Sequence, residues 1–387
     1  MENLEEKACL CALNRIFGFE PKIGLALISH LGCASKVFSL SEDHLTALLG
    51  PYSKHKAKIC RQAVDDAAKE LMHLSGIGIS FCGITEPYYP SLLKECEDPP
   101  IGLYIKSVTP LSCLWQEERI AVVGTRDIST YGKEWCSRIV KSLTDTPERP
   151  AIVSGLALGV DIEAHRTALD YGLPTIAVLP TGPDSIYPYR HRAHAERIAS
   201  SPHSALVTDY PPGTAPLAIH FLRRNRIIAG LSKATILIES KVKGGGMMTC
   251  RLAFSYNRDV YALPGRIDDT RSQGCNELIR QKIAEPIVSA SSLVESLGLT
   301  FRTQLKGTDS SVLLERHYAG RIPPGDLTLL KNIHSIIRKD RGITIEEISD
   351  FIGAGYPKTA ELTGLLEIDG FIITDLLQRC SINPKFM

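Results

Sequence analysis

The chain has 387 residues, more than one ordinary domain needs, and this length predicts two or three units. Its 44 lysines and arginines against 43 acidic residues give a formal net charge of +1, which excludes a general attraction to polyanions. Any site for phosphate must therefore come from a local cluster of cations.

Eleven cysteines are scattered from Cys9 to Cys380, without CxxC pairs or a nearby His-x-x-His. This distribution predicts reduced thiols rather than disulfides or structural zinc. The first residues are acidic and lack the apolar core of a secretory signal, and no apolar run reaches about 18 to 20 residues. We therefore expect a cytoplasmic protein without an export signal or membrane anchor.

Residues 1–80 carry apolar side chains at helical spacing and predict a small helical domain. Two leucine-rich runs end at Gly32 and at Gly50-Pro51, where the C-caps of helices are expected. A stretch rich in turn residues follows and predicts an irregular connector rather than a packed helix. Its prolines are Pro87, Pro90, Pro99 and Pro100.

Residues 81–300 form the predicted central domain, in which short apolar runs alternate with helix-like segments. The runs are long enough for strands and apolar on both faces, which indicates a mostly parallel, doubly wound sheet in an α/β fold. The predicted strands are 120–123, 151–153, 175–179, 205–207, 234–238 and 260–263. Ligands of such sheets bind where the strands end, so the loops that follow these runs are candidate sites.

The last part of the chain predicts a linker over 301–324 and a winged-helix-like domain over 325–387. Its pattern gives helices at 327–337, 344–351 and 357–366, the second with Thr344 as N-cap, and then a strand at 370–373. From residue 327 onward, seven lysines and arginines face eight acidic residues. A reader of duplex DNA concentrates positive charge, so we expect this domain to contact protein, or DNA only weakly.

The loop Gly124-Thr125-Arg126 follows the first predicted strand and precedes a helix that starts near Ser129. Free backbone N–H groups at a helix start, together with a cationic side chain, are typical of an anion site. The alternative is that the glycine only allows a tight turn and that Arg126 is a solvated surface residue. The loop is not GxGxxG, so a dinucleotide fingerprint is missing.

The loop after the second strand, residues 154–161, contains Gly155, which lets the backbone approach a ligand or a neighbouring helix. Asp161 and His165 are spaced to share one face of a helix. A catalytic pair would need a nucleophile and an oxyanion site, and the adjacent sequence offers neither. We expect instead a local contact between the two side chains that fixes the loop.

The segment 241–249 combines the cations Lys241 and Lys243 with three glycines, including Gly245, and with Thr249 as a possible N-cap. It could cradle a phosphate, or it could be a mobile surface loop. The Gly-x-x-x-x-Gly-Lys-Ser/Thr pattern of a P-loop is missing, so triphosphate hydrolysis has little support.

Residues 220–230 place Phe221 and three arginines directly before an apolar run. A base of any identity can stack on an aromatic ring or a guanidinium plane while neighbouring cations hold phosphates. The alternative is that Phe221 packs in the core and that the arginines cap a helix or pair with acids. Arg223 and Arg226 share a helix face and Arg224 turns away from it, so we expect at least one arginine to be structural.

Taken together, these motifs closely resemble the DprA family of DNA-processing proteins, also called Smf. They are Val-Val-Gly-Thr-Arg at 122–126, Ser-Gly-Leu-Ala-x-Gly-Val-Asp-x-x-Ala-His at 154–165, Thr-Ile-Ala-Val-Leu-Pro-x-Gly at 175–182, Pro-Pro-Gly-Thr at 211–214 and Phe-x-x-Arg-Asn-Arg-Ile-Ile-Ala-Gly-Leu-Ser at 221–232. The match covers roughly residues 85–290. Thr125 stands where the family usually has serine, and Leu222 where it usually has proline.

The resemblance implies an extended Rossmann-like domain flanked by a small helical domain of the SAM or helix-hairpin-helix type and by a winged-helix-like domain. It also implies a homodimer without a cofactor, metal or catalytic residue that binds single-stranded DNA and passes it to the recombinase RecA in natural transformation. The expected DNA-binding residues are Gly124, Thr125, Arg126, Gly155, Phe221, Arg224, Asn225, Arg226, Lys241, Lys243, Gly245 and Thr249.

The main alternative function is an enzyme of a related Rossmann-like group, the cytokinin-activating phosphoribohydrolases, which carry a Pro-Gly-Gly-x-Gly-Thr-x-x-Glu loop. Aligned on Thr249, the proline of that loop falls on Gly244, its third glycine on Met248 and its glutamate on Leu252. The missing carboxylate argues against this chemistry. Glu239 remains open as an acid or base, or as a partner of an arginine.

Overall fold

A computed structural model describes the chain over residues 2–299, 310–340, 342–375 and 378–383. Contacts divide the chain into two compact units, Met1–Phe301 and Arg302–Met387. The helices of residues 1–80 belong to the same unit as the large sheet. The division into four parts expected from the sequence stays a prediction.

The first unit begins with helices, as the apolar spacing predicts. They are α1 (Glu2–Phe17), α2 (Pro21–Leu31), α3 (Ala34–Val37), α4 (Glu42–Leu49) and α5 (Arg61–Gly76). Gly32 follows α2 at φ +87° and donates its N–H to the carbonyl of Ile28. Gly50 follows α4 at φ +83° and closes it in the same way on Thr46. Both predicted C-caps are therefore confirmed, at positions where a β-carbon would be strained.

The proline-rich connector is more regular than its sequence suggests. It holds the antiparallel strands β1 (Ile79–Gly83) and β2 (Gly102–Lys106), with the short helix α6 (Ser91–Lys94) between them. The prolines lie outside both strands, where their missing N–H groups cost no ladder hydrogen bond. The segment therefore extends the sheet, and the expectation of an irregular connector was wrong for these two strands.

The remaining strands confirm the six that the apolar runs predict, each to within two residues. They are β3 (Arg119–Val123), β4 (Ala151–Ser154), β5 (Thr175–Val178), β6 (Ala205–Thr208), β7 (Ala234–Leu237) and β8 (Asp259–Ala262), followed by the short β9 (Glu285–Pro286). The sheet has the order β1-β2-β6-β5-β4-β3-β7-β8-β9, and it is parallel from β6 to β9.

Helices cover both faces of the sheet, as a doubly wound fold requires. They are α7 (Leu111–Leu114), α8 (Thr130–Ser142), α9 (Val160–Asp170), α10 (Arg192–Ser200), α11 (Ala218–Leu231), α12 (Gly245–Ser255), α13 (Gln273–Arg280) and α14 (Ala290–Ser296). Successive residues of β3 belong to different cores: Ala121 and Val123 face one layer, and Ile120 and Val122 the other. Burial on both faces explains the continuous apolar runs.

A crevice opens between β3 and β7 because the order in which the chain adds strands reverses at this point. From β3 the chain adds β4, β5 and β6 on one side and then returns to add β7 on the other side of β3. The loops after these two neighbouring strands diverge from the carboxyl edge of the sheet. An α/β sheet offers its ligand site at this switch point.

The second unit contains helices and a small antiparallel sheet. Its elements are α15 (Ser310–Tyr318), α16 (Pro324–Lys339), β10 (Ile343–Thr344), α17 (Ile345–Ile352), α18 (Tyr356–Ile368), β11 (Ile372–Thr374) and β12 (Arg379–Ile382). Thr344 caps α17 in a capping box with Glu347, as its spacing predicts. Part of the predicted linker forms α15, where Leu314 and Tyr318 are buried, while 300–309 lie outside the described residues.

All eleven cysteines are free thiols. Over the described ranges, no three His, Cys, Asp or Glu side chains are grouped closely enough to hold a metal ion. No helix in the described part of the chain has both the length and the apolar character needed to cross a bilayer.

Asn14 of α1 joins the helical layer to the sheet. Its Nδ2 donates to the carbonyl of Asp209 at 2.8 Å, and its Oδ1 accepts the N–H of Gly102 at 3.2 Å, in a buried position. Both backbone groups depend on this one amide. Asp209 directly follows β6, so Asn14 fixes the helices against the carboxyl edge of the sheet.

The variant Asn14→Ala leaves a buried N–H and a buried carbonyl without this partner, and we expect the free energy of unfolding to fall by about 2 to 4 kcal/mol. Both tryptophans, Trp115 and Trp135, lie in the first unit, so urea unfolding followed by tryptophan fluorescence measures this unit alone. The exposed pair Gln62 and Asp66 supplies the control, because Gln62→Ala should change stability by less than about 0.5 kcal/mol. Equal effects of the two variants would contradict the role of Asn14.

Candidate functional site

A cavity of about 800 Å³ lies at the switch point between β3 and β7. Five segments form its walls: the loop after β3, the start of α9, the segment after β5 that contains Tyr187, the start of α11, and the loop that joins β7 to α12. Each wall comes from a different part of the chain. The parallel sheet brings them together because its strands all end at this edge.

Ten of the twelve sequence-predicted site residues line this cavity. They are Gly124, Thr125, Arg126, Phe221, Arg224, Asn225, Lys241, Lys243, Gly245 and Thr249. Gly155 lies behind Arg224, and Arg226 points elsewhere. Motifs that are up to 125 residues apart in sequence therefore share one cavity.

Glycines allow the loop after β3 to pack tightly against its neighbours. A β-carbon on Gly124 would lie 2.5 Å from Val160 Cγ2 and 2.9 Å from the carbonyl oxygen of Glu239. Thr125 is held by its backbone: its N–H donates to the carbonyl of Glu239 at 2.7 Å, and its carbonyl accepts the N–H of Val160 at 3.1 Å. The loop is thus fixed to both neighbouring segments, which makes it a rigid wall.

The helix start after this loop is already occupied by a carboxylate, which corrects the expected anion site. Glu239 accepts the N–H of Ser129 at 2.9 Å and the hydroxyl of Ser129 at 2.5 Å, and Ser129 in turn caps α8. Glu239 is 1% exposed and does not line the cavity. A negative charge of the protein itself therefore already lies at the α8 terminus, and this carboxylate serves the fold.

Phe221 forms the centre of an aromatic and cationic wall. The guanidinium carbon of Arg126 lies 5.0 Å from the centre of the Phe221 ring, and the Tyr187 ring meets the same ring edge to face at 5.3 Å. Arg126 is exposed, and the cavity side of this group is open. The role of Tyr187 was missed from the sequence, because a lone tyrosine carries no periodic or motif signal beyond its place beside Pro188.

Arg224 is the unusual charge of the site. It is 3% exposed, and its Nε has no hydrogen-bond partner. No hydrogen bond or ion pair within the described residues satisfies its guanidinium group. Burial lowers the pKa of Arg224 to about 10, and Asp161 partly offsets this effect. The side chain packs so closely on Gly155 that a β-carbon there would collide with it.

Asp161 and His165 do not form the contact expected from their spacing. Asp161 accepts the N–H groups of Gly155 and Ala157 at 3.2 and 3.3 Å. His165 instead pairs its Nδ1 with the hydroxyl of Thr175 at 2.7 Å, and burial lowers its pKa to about 3. Each side chain fixes the structure separately, because Asp161 bonds to the loop before α9 and His165 bonds to the first residue of β5.

Arg226 is a structural residue, which corrects its place in the expected DNA-binding set. It is 5% exposed, its Nη2 pairs with Asp209 Oδ2 at 2.6 Å, and its Nη1 donates to the carbonyl of Asp98. Arg224 and Arg226, two residues apart on α11, therefore have opposite surroundings. Arg226 is paired, whereas Arg224 faces the cavity without a partner.

The loop between β7 and α12 brings cations and open amides to the cavity. Lys241 and Lys243 are exposed, and α12 begins at Gly245 with Gly244 as its N-cap. Thr249 lies inside the helix and not at its cap, so that expectation was wrong by five residues. A glycine-rich start leaves the first N–H groups of the helix accessible to an anion.

Positive charge dominates the cavity. Its lining holds four cations, Arg126, Arg224, Lys241 and Lys243, against two carboxylates, Asp127 and Asp161. Asp127 is neutralised by an ion pair with Arg271 at 2.8 Å. A nearly neutral chain has thus concentrated cations around one aromatic ring, and the arrangement suits a ligand that carries both phosphates and flat rings.

Comparison with known proteins identifies relatives of this chain. Residues 80–298 match the family model described as DNA recombination-mediator protein A. The protein Smf from Synechocystis is 37% identical over 242 residues, which cover 62% of this chain and 57% of that protein.

Solved structures agree with this family match. DNA processing protein A from Streptococcus pneumoniae superposes with a TM-score of 0.54 at 33% identity, covering 67% of this chain and 92% of that one. DNA processing protein A from Helicobacter pylori, whose single-stranded DNA binding mode has been described, gives 0.50 at 30% identity over 57% of this chain and 95% of that one.

Two substitutions on α11 should have opposite effects on stability. Arg226→Ala leaves Asp209 buried without its partner, and we expect the free energy of unfolding to fall by about 3 to 5 kcal/mol. Arg224→Met removes a buried charge that has no partner, so the stability should equal or exceed that of the wild type. Urea unfolding monitored by tryptophan fluorescence measures both. A large loss of stability in Arg224→Met would show that this arginine has an internal partner.

Proposed function

Because the chain belongs to the DNA recombination-mediator protein A family, we propose that it binds single-stranded DNA in the cavity between β3 and β7. The proposal is supported by the relative from Helicobacter pylori, whose single-stranded DNA binding mode has been described. The cavity combines four cations, Arg126 among them, with the aromatic ring of Phe221, and this is the chemistry that a strand of nucleotides requires.

The observation that carries the proposal is the unpartnered guanidinium of Arg224. A buried charge without a partner is costly, and proteins keep such groups where a ligand or another protein group completes them. A DNA phosphate can accept the free N–H groups of Arg224 in the planar geometry that arginine favours. The neighbouring Gly155 leaves the room that this side chain needs.

The bases are expected to stack on the wall formed by Arg126, Phe221 and Tyr187. Stacking on a ring or guanidinium plane tolerates any base identity, so binding should be insensitive to sequence. In a duplex the bases are already stacked inside the helix, and they cannot meet Phe221 without unpairing. The arrangement thus favours the single strand over the duplex.

We propose a binding role without catalysis. Glu239, which the sequence left open as an acid or base, is buried, does not line the cavity and holds the start of α8 through Ser129. Leu252 stands where the related phosphoribohydrolase loop has its glutamate, and an alkyl side chain can neither accept nor donate a proton. These two residues make the enzyme alternative the weaker one.

The place of this activity in the cell follows from the family resemblance. We propose that the chain acts in the cytoplasm as a homodimer, protects incoming single-stranded DNA in natural transformation, and passes it to the recombinase RecA. The matched region spans 57% of the length of Smf from Synechocystis, so these roles of the whole protein stand as proposals.

A binding experiment with matched variants tests the proposed site. The wild type should bind a labelled oligothymidylate more tightly than a duplex of the same length in fluorescence anisotropy, without nucleotide or metal. The double variant Arg126→Ala/Arg224→Met removes two positive charges from the cavity, and the slope of log K against log salt should become shallower by roughly 1.4.

The control for this experiment is Arg138→Ala. Arg138 lies over the Trp135 ring at 4.8 Å, much as Arg126 lies over Phe221, but it sits on the outer face of α8. Its removal should leave affinity and salt slope unchanged. Equal losses in the control and in the double variant would place the DNA elsewhere, and a preference for the duplex would reject the proposed function.

A further inference from the structure

A second cavity, of about 430 Å³, adjoins the first one along α11. Phe221, Arg224 and Asn225 of this helix face the first cavity, whereas Arg223 and Arg226 face the second. Leu222 lines both cavities. The apolar walls of the second cavity come from the start of α2, from α11 and from α12, through Phe19, Pro21, Ile23, Leu222, Met248 and Leu252.

Large apolar side chains surround this second cavity although they are open to solvent. Phe19 is 53% exposed, and Leu222 and Met248 are also exposed. Apolar side chains scattered singly on a surface need no explanation, but here three of them line one groove. An apolar ligand that enters this groove would cover these side chains, and the removal of their apolar surface from water would favour binding.

The charge around the groove suits an anionic ligand. The guanidinium carbon of Arg223 lies 4.5 Å from the centre of the Phe19 ring, and Arg223 donates to the carbonyl of Gly18 at 2.9 Å. No carboxylate within the described residues pairs with it. The acids at the rim have cationic partners of their own: Glu20 pairs with Lys54 at 3.0 Å, and Asp98 Oδ2 lies 3.9 Å from Nε of Arg226.

The Phe19 groove repeats the chemistry of the first site. In the first cavity an arginine lies over a phenylalanine at 5.0 Å, and in the second an arginine lies over a phenylalanine at 4.5 Å. The two pairs stand on either side of Leu222. A flexible chain that carries one phosphate for each flat ring could occupy both in succession.

We propose that the groove at Phe19 is a second nucleobase subsite for the same single strand. This inference rests on the proposed function. The strand crosses Leu222 as it leaves the first cavity, places an unstacked base against Phe19, and brings its phosphate near Arg223. The helical layer of residues 2–76 thereby takes part in DNA binding, and the shared wall at Leu222 together with the free positive charge favours a nucleotide over an apolar peptide.

Oligothymidylates of increasing length test the subsite in the full-length chain. Anisotropy should show a gain in wild-type affinity when the oligonucleotide becomes long enough to fill the first cavity, and a further gain when it reaches Phe19. Phe19→Ala should lose only the second gain, roughly 5- to 100-fold. Phe19→Trp keeps an aromatic face and should retain it.

Phe254→Ala is the matched control. Phe254 is also 53% exposed but lies outside both cavities, so Phe254→Ala should leave the affinity for oligonucleotides of every length unchanged. If Phe19→Ala unfolds more easily by tryptophan fluorescence, Met248→Asp replaces it, because a negative charge on the opposite wall should repel the strand and remove the same gain.

The outcomes separate the subsite from the proposed function. If the wild type binds short oligonucleotides through Arg224 and Phe19→Ala keeps the full gain with length, the subsite is wrong and the proposed function stands. If the wild type binds no single strand at any length, both are wrong. Binding of free thymidine monophosphate that depends on Phe19, without any gain with length, would assign the groove to a free nucleotide and contradict the proposal.

Discussion

The structure depends on one electrostatic constraint: a guanidinium group that leaves water must find a partner. Two arginines of α11 meet this constraint differently. Arg226 is paired through its Nη groups with Asp209 and with the carbonyl of Asp98 and ties the helix to the strand ends, while Arg224 is equally buried and has no hydrogen-bond partner among the described residues. The pairing of Arg226 holds the helix in place, and we propose that an anion completes the guanidinium group of Arg224. The same helix therefore supplies both the frame and the binding group.

The fold places this helix where a polyanion can reach it. Parallel strands end at one edge, and the reversal of strand order between β3 and β7 opens the crevice. Asn14 of α1 fixes the helical layer beside the same edge. Its side-chain amide accepts a hydrogen bond from β2 and donates one to the chain after β6. Phe19 and Arg223 extend the crevice under that layer. On our proposal the N-terminal helices take part in binding as well as in the core.

Patterns of apolar residues predicted most of the fold, since runs buried on both faces leave a continuous signal, as in 120–123 and 234–238. Strand β2 escaped notice because flanking prolines dominate its surroundings. Motifs predicted ten of the cavity residues, but spacing could not tell Arg224 from Arg226. That distinction depends on Asp209, which is distant in sequence and meets α11 only after the sheet forms. The filling of the α8 terminus by Glu239 and the edge-to-face contact of Tyr187 are likewise tertiary contacts without a local signal.

The central claim is that a DNA phosphate completes the buried guanidinium of Arg224. Nitrogen-15 NMR of the arginine Nε–H groups observes this directly, with Arg224→Met and Arg226→Lys used to assign the two signals. On addition of an oligothymidylate, the Arg224 signal should move to the position of a charge-assisted hydrogen bond, while the Arg226 signal, whose guanidinium is already paired with Asp209, should remain in place. An unmoved Arg224 signal in the DNA-saturated protein would contradict the account.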